Sequence, residues 1–315
     1  IVLNAPARRD EHQALLEAHV TIVSIVIPVY NSASIVGQTL NRVVAACEAM
    51  GETFEVLVVD DASRDGSLRV LEAAARRHRA IRVIGLDANA GQHAALLVGL
   101  RACSGEIVVC MDDDMQHAPE AIPRLVERIR AGHDAVFARF ERPRHAWWRQ
   151  GGSLLMRAID RGVFGAPSGL AVSSFRAMRR DVVDRVCAYR GTSPFVRGQI
   201  LRASRTPANV DVEHAGRASA SSYTPMALIG VTMRVLLEWS AVPAWCCLTV
   251  GMVFLAAAAG WYRLADPPIS GLMVLLSLHG SALVGLGVAG LAGRRRQERR
   301  AAAFHAQGNR AQSHR

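Results

Sequence analysis

The apolar positions along this chain fall into two regimes. Up to about residue 217, short apolar runs alternate with amphipathic stretches; from 241 to 293 the chain is apolar almost without interruption. In the first regime, "TIVSIVIPVYN" predicts a buried strand ending at Pro28–Asn31, because a continuous β-branched run bounded by turn residues suits a strand covered on both faces. A helix is expected over about 34–50. "FEVLVVDDAS" predicts a second strand, and "DGSLRVLEAAARRH" its helix, with Asp65 placed to cap the start. "AIRVIGL" and "GQHAALLVGLRAC" give a third strand and helix. "EIVVCMD" is the fourth strand, and "APEAIPRLVERIRAG" its helix, with Ile122, Leu125, Val126 and Ile129 on one face. A further strand is expected at 134–138, followed by Arg139. Strands alternating with helices predict an α/β fold with a mostly parallel sheet. Ligands of such sheets bind beyond the carboxyl ends of the strands, where Tyr30, Asn31, Asp60, Asp61 and Asp112–Asp114 all fall.

The second regime changes the picture from a soluble domain to a membrane protein. Residues 240–261 carry no charge and are long enough to cross a bilayer. Residues 269–292 are a second candidate, with His279 as their only titratable group. The chain leaving the second span reads "RRRQERR" over 294–300, whereas the connector holds only Arg263 against Asp266. That asymmetry puts the tail and the N-terminal domain on the cytoplasmic side. Residues 224–239 suit an amphipathic helix at the membrane interface, or equally a helix packed on the soluble domain. The expected organisation is a cytoplasmic α/β domain over 1–223, an interfacial helix over 224–239, a two-helix membrane region over 240–293, and a basic cytoplasmic tail over 294–315.

The net charge is +10 over 315 residues, which suits nucleic acid, anionic lipid or a phosphorylated substrate. No zinc-finger spacing or RNP-like aromatic segment supports nucleic acid, so none is expected as a partner. The six cysteines form no CxxC pair, as expected for reduced, buried thiols. There is no GxGxxG after the first strand and no GxxxxGK[ST], so neither a dinucleotide cofactor nor a P-loop is indicated.

The candidate chemistry sits in "MDDDMQHAPE", residues 111–120. Three adjacent aspartates repel one another unless something positive compensates them. Hard divalent cations prefer carboxylate oxygens, with water and phosphate filling the remaining positions. Asp112 and Asp114, two apart in an extended chain, point the same way, and Gln116 adds a carbonyl oxygen. A helix dipole explains one such aspartate but not three. His117 is a weaker candidate, because the site already has harder ligands. His93, in an apolar helical context, reads equally well as structural or functional. Asp60 and Asp61 suit hydrogen bonds from a base or ribose, or simple turn capping.

"SIVIPVYN", "VLVVDDASRDGS", "GQHAALLVGL" and "MDDDMQHAPEAIPRLVE" resemble the inverting GT-A glycosyltransferases of family 2. Within them, the resemblance is to the branch that loads one sugar onto a polyprenyl phosphate, and it covers roughly residues 22–223. It implies a GT-A, Rossmann-like domain followed by an interfacial helix and two transmembrane helices. It implies that Pro28, Tyr30 and Asn31 line the nucleotide site, and that Asp60 or Asp61 contacts the base or ribose. Asp112, Asp114 and Gln116 match the family's metal-site DxDxQ pattern, with Mn²⁺ or Mg²⁺ as the implied cation. Arg139 and Arg149, in "ARFERPRHAWWRQ", are the implied ligands of the acceptor phosphate, with Asp114, Arg139 and Arg149 as the residues expected to carry catalysis. Arg176 is expected to support the pocket, and His214 and Arg217 to close over the diphosphate. The chain departs from the family at three places. Ser32 stands where an acidic residue is usual, Ala88 where arginine is frequent, and Asp113 where many relatives have alanine.

These assignments imply inverting transfer of a single sugar from a nucleotide-sugar, a UDP-sugar before a GDP-sugar, to undecaprenyl or another polyprenyl phosphate. The enzyme would be a multi-pass protein of the bacterial inner membrane, in contact with lipids. Membrane attachment and a lipid substrate both favour clustering into homo-oligomers, without fixing a stoichiometry. A processive polysaccharide synthase is the alternative enzyme, but the QxxRW pattern of such synthases is missing. A membrane scaffold that retains the domain without its chemistry is the other alternative.

Overall fold

The computed structural model describes residues 23–140, 156–188, 195–212, 242–264 and 274–291. The chain divides into two compact units, Ile1–Ser222 and Tyr223–Arg315.

The first unit is built on a seven-stranded sheet. In chain order its elements are β1 (Val23–Val29), α1 (Val36–Glu48), β2 (Phe54–Asp60), α2 (Ser67–Arg77), β3 (Ile81–Gly85), α3 (Gln92–Ala102), β4 (Ile107–Cys110), α4 (Ile122–Arg130) and β5 (Ala135–Phe140). After them come a helical segment, α5, at 156–162, then β6 (Arg176–Arg179), α6 (Arg180–Cys187), α7 (Val196–Ala203) and β7 (Pro207–Val212). The strand order is β3-β2-β1-β4-β6-β5-β7. The first four strands are mutually parallel. β6 is antiparallel to both β4 and β5, and β5 pairs with β7 in parallel.

Every residue of β1 is buried, which is why this strand reads as an unbroken apolar run rather than an alternation. Ile122, Leu125, Val126 and Ile129 form the buried stripe of α4, as their spacing predicts. α3 lies against β1 and requires Gly99 there: a Cβ at this position would stand 2.4 Å from Val26 Cγ1. A buried carboxylate ties the opposite end of the sheet. Glu55 accepts hydrogen bonds from Ser24 Oγ at 2.6 Å, Ser104 N at 2.7 Å and Arg82 Nη1 at 3.0 Å.

Two details differ from the sequence reading. β5 runs through Arg139 to Phe140 rather than ending at 138, because its pairing with β7 continues to Phe140 opposite Val212. The cap position of α2 is Gly66, not Asp65. Asp65 still accepts from Ser67 N at 3.0 Å, and its other oxygen accepts from Ala33 N at 2.9 Å, so it joins the loops after β1 and β2.

The second unit holds two apolar helices, α8 (Val242–Leu264) and α9 (Val274–Leu291). α9 is long and apolar enough to cross a membrane, and only 11% of it is buried, unlike a soluble core helix. The apolar stretch of α8 runs from Ala244 to Gly260. The two helices touch at small residues: a Cβ on Gly251 would stand 2.8 Å from Gly280 O, and one on Gly287 2.7 Å from Ala244 O. Such backbone approach is how apolar helices associate in lipid. The segment expected as an interfacial helix, 224–239, lies outside the described residues.

Candidate active site

The site lies where the strands end. Each of three neighbouring strands is followed by a non-glycine residue in the left-handed region: Asn31 (φ 53°) after β1, Ala62 (φ 57°) after β2 and Met115 (φ 56°) after β4. Such residues cost free energy and cluster where a loop's shape is required by function.

The loops after β1 and β2 interlock. Asn31 donates its N–H to Ser63 Oγ at 2.9 Å, and its Oδ1 accepts from Arg64 N at 2.8 Å. Beside them opens a cleft of about 450 Å³, lined by Tyr30, Asp60, Ser63, Leu86 and Asn89 among others. Tyr30 is half exposed along it. Pro28 is buried within β1, opposite Val59, and does not line this cleft.

The two adjacent aspartates have different situations. Asp61 is buried, and its two oxygens accept from Ala90 N at 2.7 Å and Gly91 N at 2.9 Å. That pair of bonds fixes the entry to α3. Gly91 takes φ 87° and ψ 153° there, a conformation open only to glycine. Asp60 lines the cleft instead. Its Oδ2 accepts from Ser63 N at 3.2 Å, while its buried Oδ1 has no partner among the described residues.

β4 ends at Cys110, so a turn, not strand alternation, sets the directions of Asp112 and Asp114. Asp112 Oδ1 accepts from Gln92 Nε2 at 2.6 Å, and Oδ2 from Ser174 Oγ at 2.6 Å. Its N–H donates to His117 Nδ1 at 3.2 Å. His117 is buried between Phe140 and Phe175, with ring centroids 5.4 and 5.2 Å away. It therefore holds the acidic turn from behind. Asp114 Oδ1 accepts from Gln116 N at 3.1 Å. Asp113 turns inward, and burial pushes its carboxyl up to about 6, despite a lowering hydrogen bond from the Ser32 hydroxyl. Two departures from the family pattern, Ser32 and Asp113, are thus in contact. The carbonyl of Asp113 also accepts from Thr39 Oγ1 at 2.9 Å, which anchors the turn to α1.

No group of three or more His, Cys, Asp or Glu side chains forms a metal cage among the described residues. In chemical type the donors nevertheless fit a hard divalent cation: Asp112, Asp114 and Gln116 carry carboxylate and amide oxygens, and both Asp112 oxygens already accept hydrogen bonds.

Below the turn, Arg176 is 3% exposed, and its Nε has no partner among the described residues. Burial lowers its guanidinium pKa, countered by the nearby Cys110 and Asp112. His93, at the start of α3, meets Phe195 edge-on at 5.2 Å, and its buried Nδ1 is unpartnered among the described residues. Burial, then the charge of Arg176, lowers its pKa to about 4, so the ring is neutral near pH 7.

A second cleft, of about 650 Å³, is lined by Arg139, Arg157, Arg161, Phe140 and Leu170 among others. Arg139 is half exposed and pairs with Asp211 of β7, Nε to Oδ1 at 2.5 Å and Nη2 to Oδ2 at 2.8 Å. Strand register relates this cleft to the acidic turn. Cys110 and Phe137 both face Arg176 across β6. Just past that row, Ser174 donates to Asp112, and Ala138 N, beside Arg139, donates to Phe175 O at 2.9 Å, so the acidic turn and the basic cleft leave the same edge of the sheet. Arg149, His214 and Arg217, with Trp147 and Trp148, lie outside the described residues.

Residue types alone did not single out Gln92, Ser174, Arg157 or Arg161. Gln92 stands inside the segment "GQHAALLVGL", but only the fold shows that it shares Asp112 with Ser174.

A mostly parallel seven-stranded sheet with acidic loops and clefts at the carboxyl ends of its strands is the architecture of a GT-A-type domain. The model of the family described as "Glycosyl transferase family 2" matches residues 24–187. The chain belongs to that family, in the branch of polyprenyl-phosphate sugar transferases, and is a glycosyltransferase. An undecaprenyl-phosphate 4-deoxy-4-formamido-L-arabinose transferase of Pseudomonas aeruginosa (strain LESB58) is 35% identical over 277 residues, 85% of this chain and 78% of the relative. The protein of that name from Pseudomonas syringae pv. syringae (strain B728a) is 38% identical over 225 residues, 69% of this chain and 65% of the relative. Among solved structures, glucosyl-3-phosphoglycerate synthase of Mycobacterium tuberculosis, in complex with Mn²⁺, UDP and phosphoglyceric acid, aligns with a TM-score of 0.53 at 19% identity. The alignment covers 74% of this chain and 82% of that one, and shows a shared fold.

Proposed function

We propose that this protein transfers a single sugar from a UDP-sugar to undecaprenyl phosphate at the cytoplasmic face of a bacterial inner membrane, with inversion at the anomeric carbon. The observation that carries this reading is the row Cys110–Arg176–Phe137, with Ser174 bound to Asp112 just beyond it, which puts an acidic turn and a basic cleft at one edge of one sheet. The names of the relatives supply the acceptor, and the fold neighbour crystallised with UDP and Mn²⁺ supports the donor class and the cation.

In this reading, the base enters the cleft of Tyr30, Asp60 and Asn89, and the unpartnered Asp60 Oδ1 accepts a hydrogen bond from it. Asp112, Asp114 and Gln116 hold the cation, Mn²⁺ or Mg²⁺, which when bound neutralises charge on the departing diphosphate. Gln92 and Ser174 keep the Asp112 carboxylate aimed. The basic cleft of Arg139, Arg157 and Arg161 receives the lipid phosphate, and Arg149, outside the described residues, is the further acceptor ligand that the family resemblance implies. A lipid phosphate is already ionised, so the protein needs to deliver it rather than deprotonate it, and orientation and electrostatics supply the rate. α8 and α9 serve as two membrane spans that bring the domain to its acceptor. Arg176, His214 and Arg217 support the diphosphate region.

The test is transfer by the full-length protein in detergent, with undecaprenyl phosphate, Mn²⁺ or Mg²⁺ and a panel of UDP- and GDP-sugars, reading the lipid product by mass. The expected product is a lipid phosphate carrying one sugar, abolished by chelation. Polymer would identify a processive synthase, and failure of any nucleotide-sugar to bind would identify a scaffold.

A further inference from the structure

α3 begins between two parts of the site. Asn89, just before it, lines the nucleotide cleft. Gln92, its first residue, donates to Asp112 of the acidic turn. A nucleotide-sugar with its base in the cleft and its diphosphate at the acidic turn must extend its sugar past this point. The next residue is His93.

His93 is partly exposed, while its Nδ1 is buried and unpartnered among the described residues. Buried hydrogen-bonding atoms are rarely left unmet in native proteins, and the exceptions call for an explanation. The ring is also fixed: Phe195, 7% exposed, meets it edge-on with centroids 5.2 Å apart. The charged groups acting on it are Arg176, Asp112 and Arg197. Arg197 is already bound by Asp160, Nε to Oδ1 at 3.0 Å. Arg176 is 3% exposed and has its own unmet Nε. Two unmet buried polar atoms on separate elements, α3 and β6, that act on each other electrostatically point to a polar ligand group rather than to a packing defect.

We propose that His93 contacts the donor sugar, with Nδ1 forming a hydrogen bond to an uncharged hydroxyl or acylamino substituent, so that it determines which sugars are held well. This rests on the donor reading given above. The test uses the full-length protein in detergent with Mn²⁺, and the probes are UDP, UDP-glucose and UDP-4-deoxy-4-formamido-L-arabinose. In His93→Leu, the Kd for UDP stays within about twofold of wild type, while the KM for the better sugar donor rises about tenfold, the effect of one lost hydrogen bond. His93→Asn, which restores a polar atom near the Nδ1 position, recovers most of that loss. Since Nδ1 satisfies no group among the described residues, His93→Leu does not lower the Tm. An unchanged donor KM in folded His93→Leu overturns the proposal, as does equal weakening of UDP and UDP-sugar, or a lowered Tm without rescue by asparagine. If wild-type protein binds no UDP in the presence of Mn²⁺, the donor reading fails and this inference falls with it.

Discussion

Asp61→Ala separates a framework aspartate from its ligand-facing neighbour. The substitution removes two hydrogen bonds from a buried carboxylate, to Ala90 N at 2.7 Å and Gly91 N at 2.9 Å. Bonds to a charged acceptor are worth about 1.5–3 kcal/mol each, giving about 3–6 kcal/mol in all, less what is regained by no longer burying the carboxylate. A net local loss of about 3 kcal/mol corresponds to roughly a hundredfold faster opening of the segment. Hydrogen–deuterium exchange read by mass spectrometry on peptides covering 86–102 measures this directly. Asp61→Ala should accelerate exchange at the entry to α3 and lower donor affinity as a consequence. Asp60→Asn should leave exchange at the wild-type rate and weaken UDP binding alone, because Asp60 lines the cleft and braces only Ser63. Wild-type exchange in Asp61→Ala would refute the division of roles, as would full UDP affinity in Asp60→Asn.

Asp114→Ala is expected to abolish metal-dependent transfer at saturating Mn²⁺ while leaving the circular dichroism spectrum and Tm unchanged, since its hydrogen bond among the described residues is local to the turn. Arg139→Ala should raise the KM for undecaprenyl phosphate without changing UDP affinity or fold, because its pairing with Asp211 is at the exposed surface; equal kinetics with the lipid would exclude it from the acceptor site. Glu55 titrates the fold. Burial alone would raise its pKa, but hydrogen bonds from Ser24 and Ser104, with the charge of Arg82, bring it below the ordinary 4.5. A depressed carboxylate stabilises above its unfolded pKa, and that contribution disappears as pH falls through the folded value. Unfolding midpoints measured from pH 6 down to pH 3 should therefore decline below about 4.5, and Glu55→Gln should flatten that decline.

The parallel half of the sheet was legible because each of its strands is a long apolar run followed by turn or acid residues, and each helix carries its own stripe. The antiparallel β6 was not. "RAMR" is four residues long with arginine at both ends, and only pairing with β4 and β5 makes it a strand. The position of the acidic turn could be read, but not the work of its members. Asp60 and Asp61 are identical in type and adjacent in sequence, and they diverge only because one faces the cleft and the other faces backbone N–H groups 29 and 30 residues away. Asp113 likewise looked like a third member of a charged cluster, and instead faces inward toward Ser32. Such assignments depend on contacts between distant segments, which local pattern does not encode.

The register across β6 has a consequence for how the two substrates meet. Asp112 and Arg139 extend from strands separated by a single intervening strand, so about 10 Å of sheet separates their columns. That is close to the span of a sugar with its leaving diphosphate. Reacting partners in many enzymes are brought together by closing one domain on another, at a cost in time at every turnover. In the function proposed here, the strands that lead to the two substrates are held by the hydrogen-bonded pitch of one continuous sheet, which does not stretch, and only the turn after Cys110 lies beyond it. If that function holds, sugars of different outline would have to be accommodated by the loops, because the strands beneath them do not move apart.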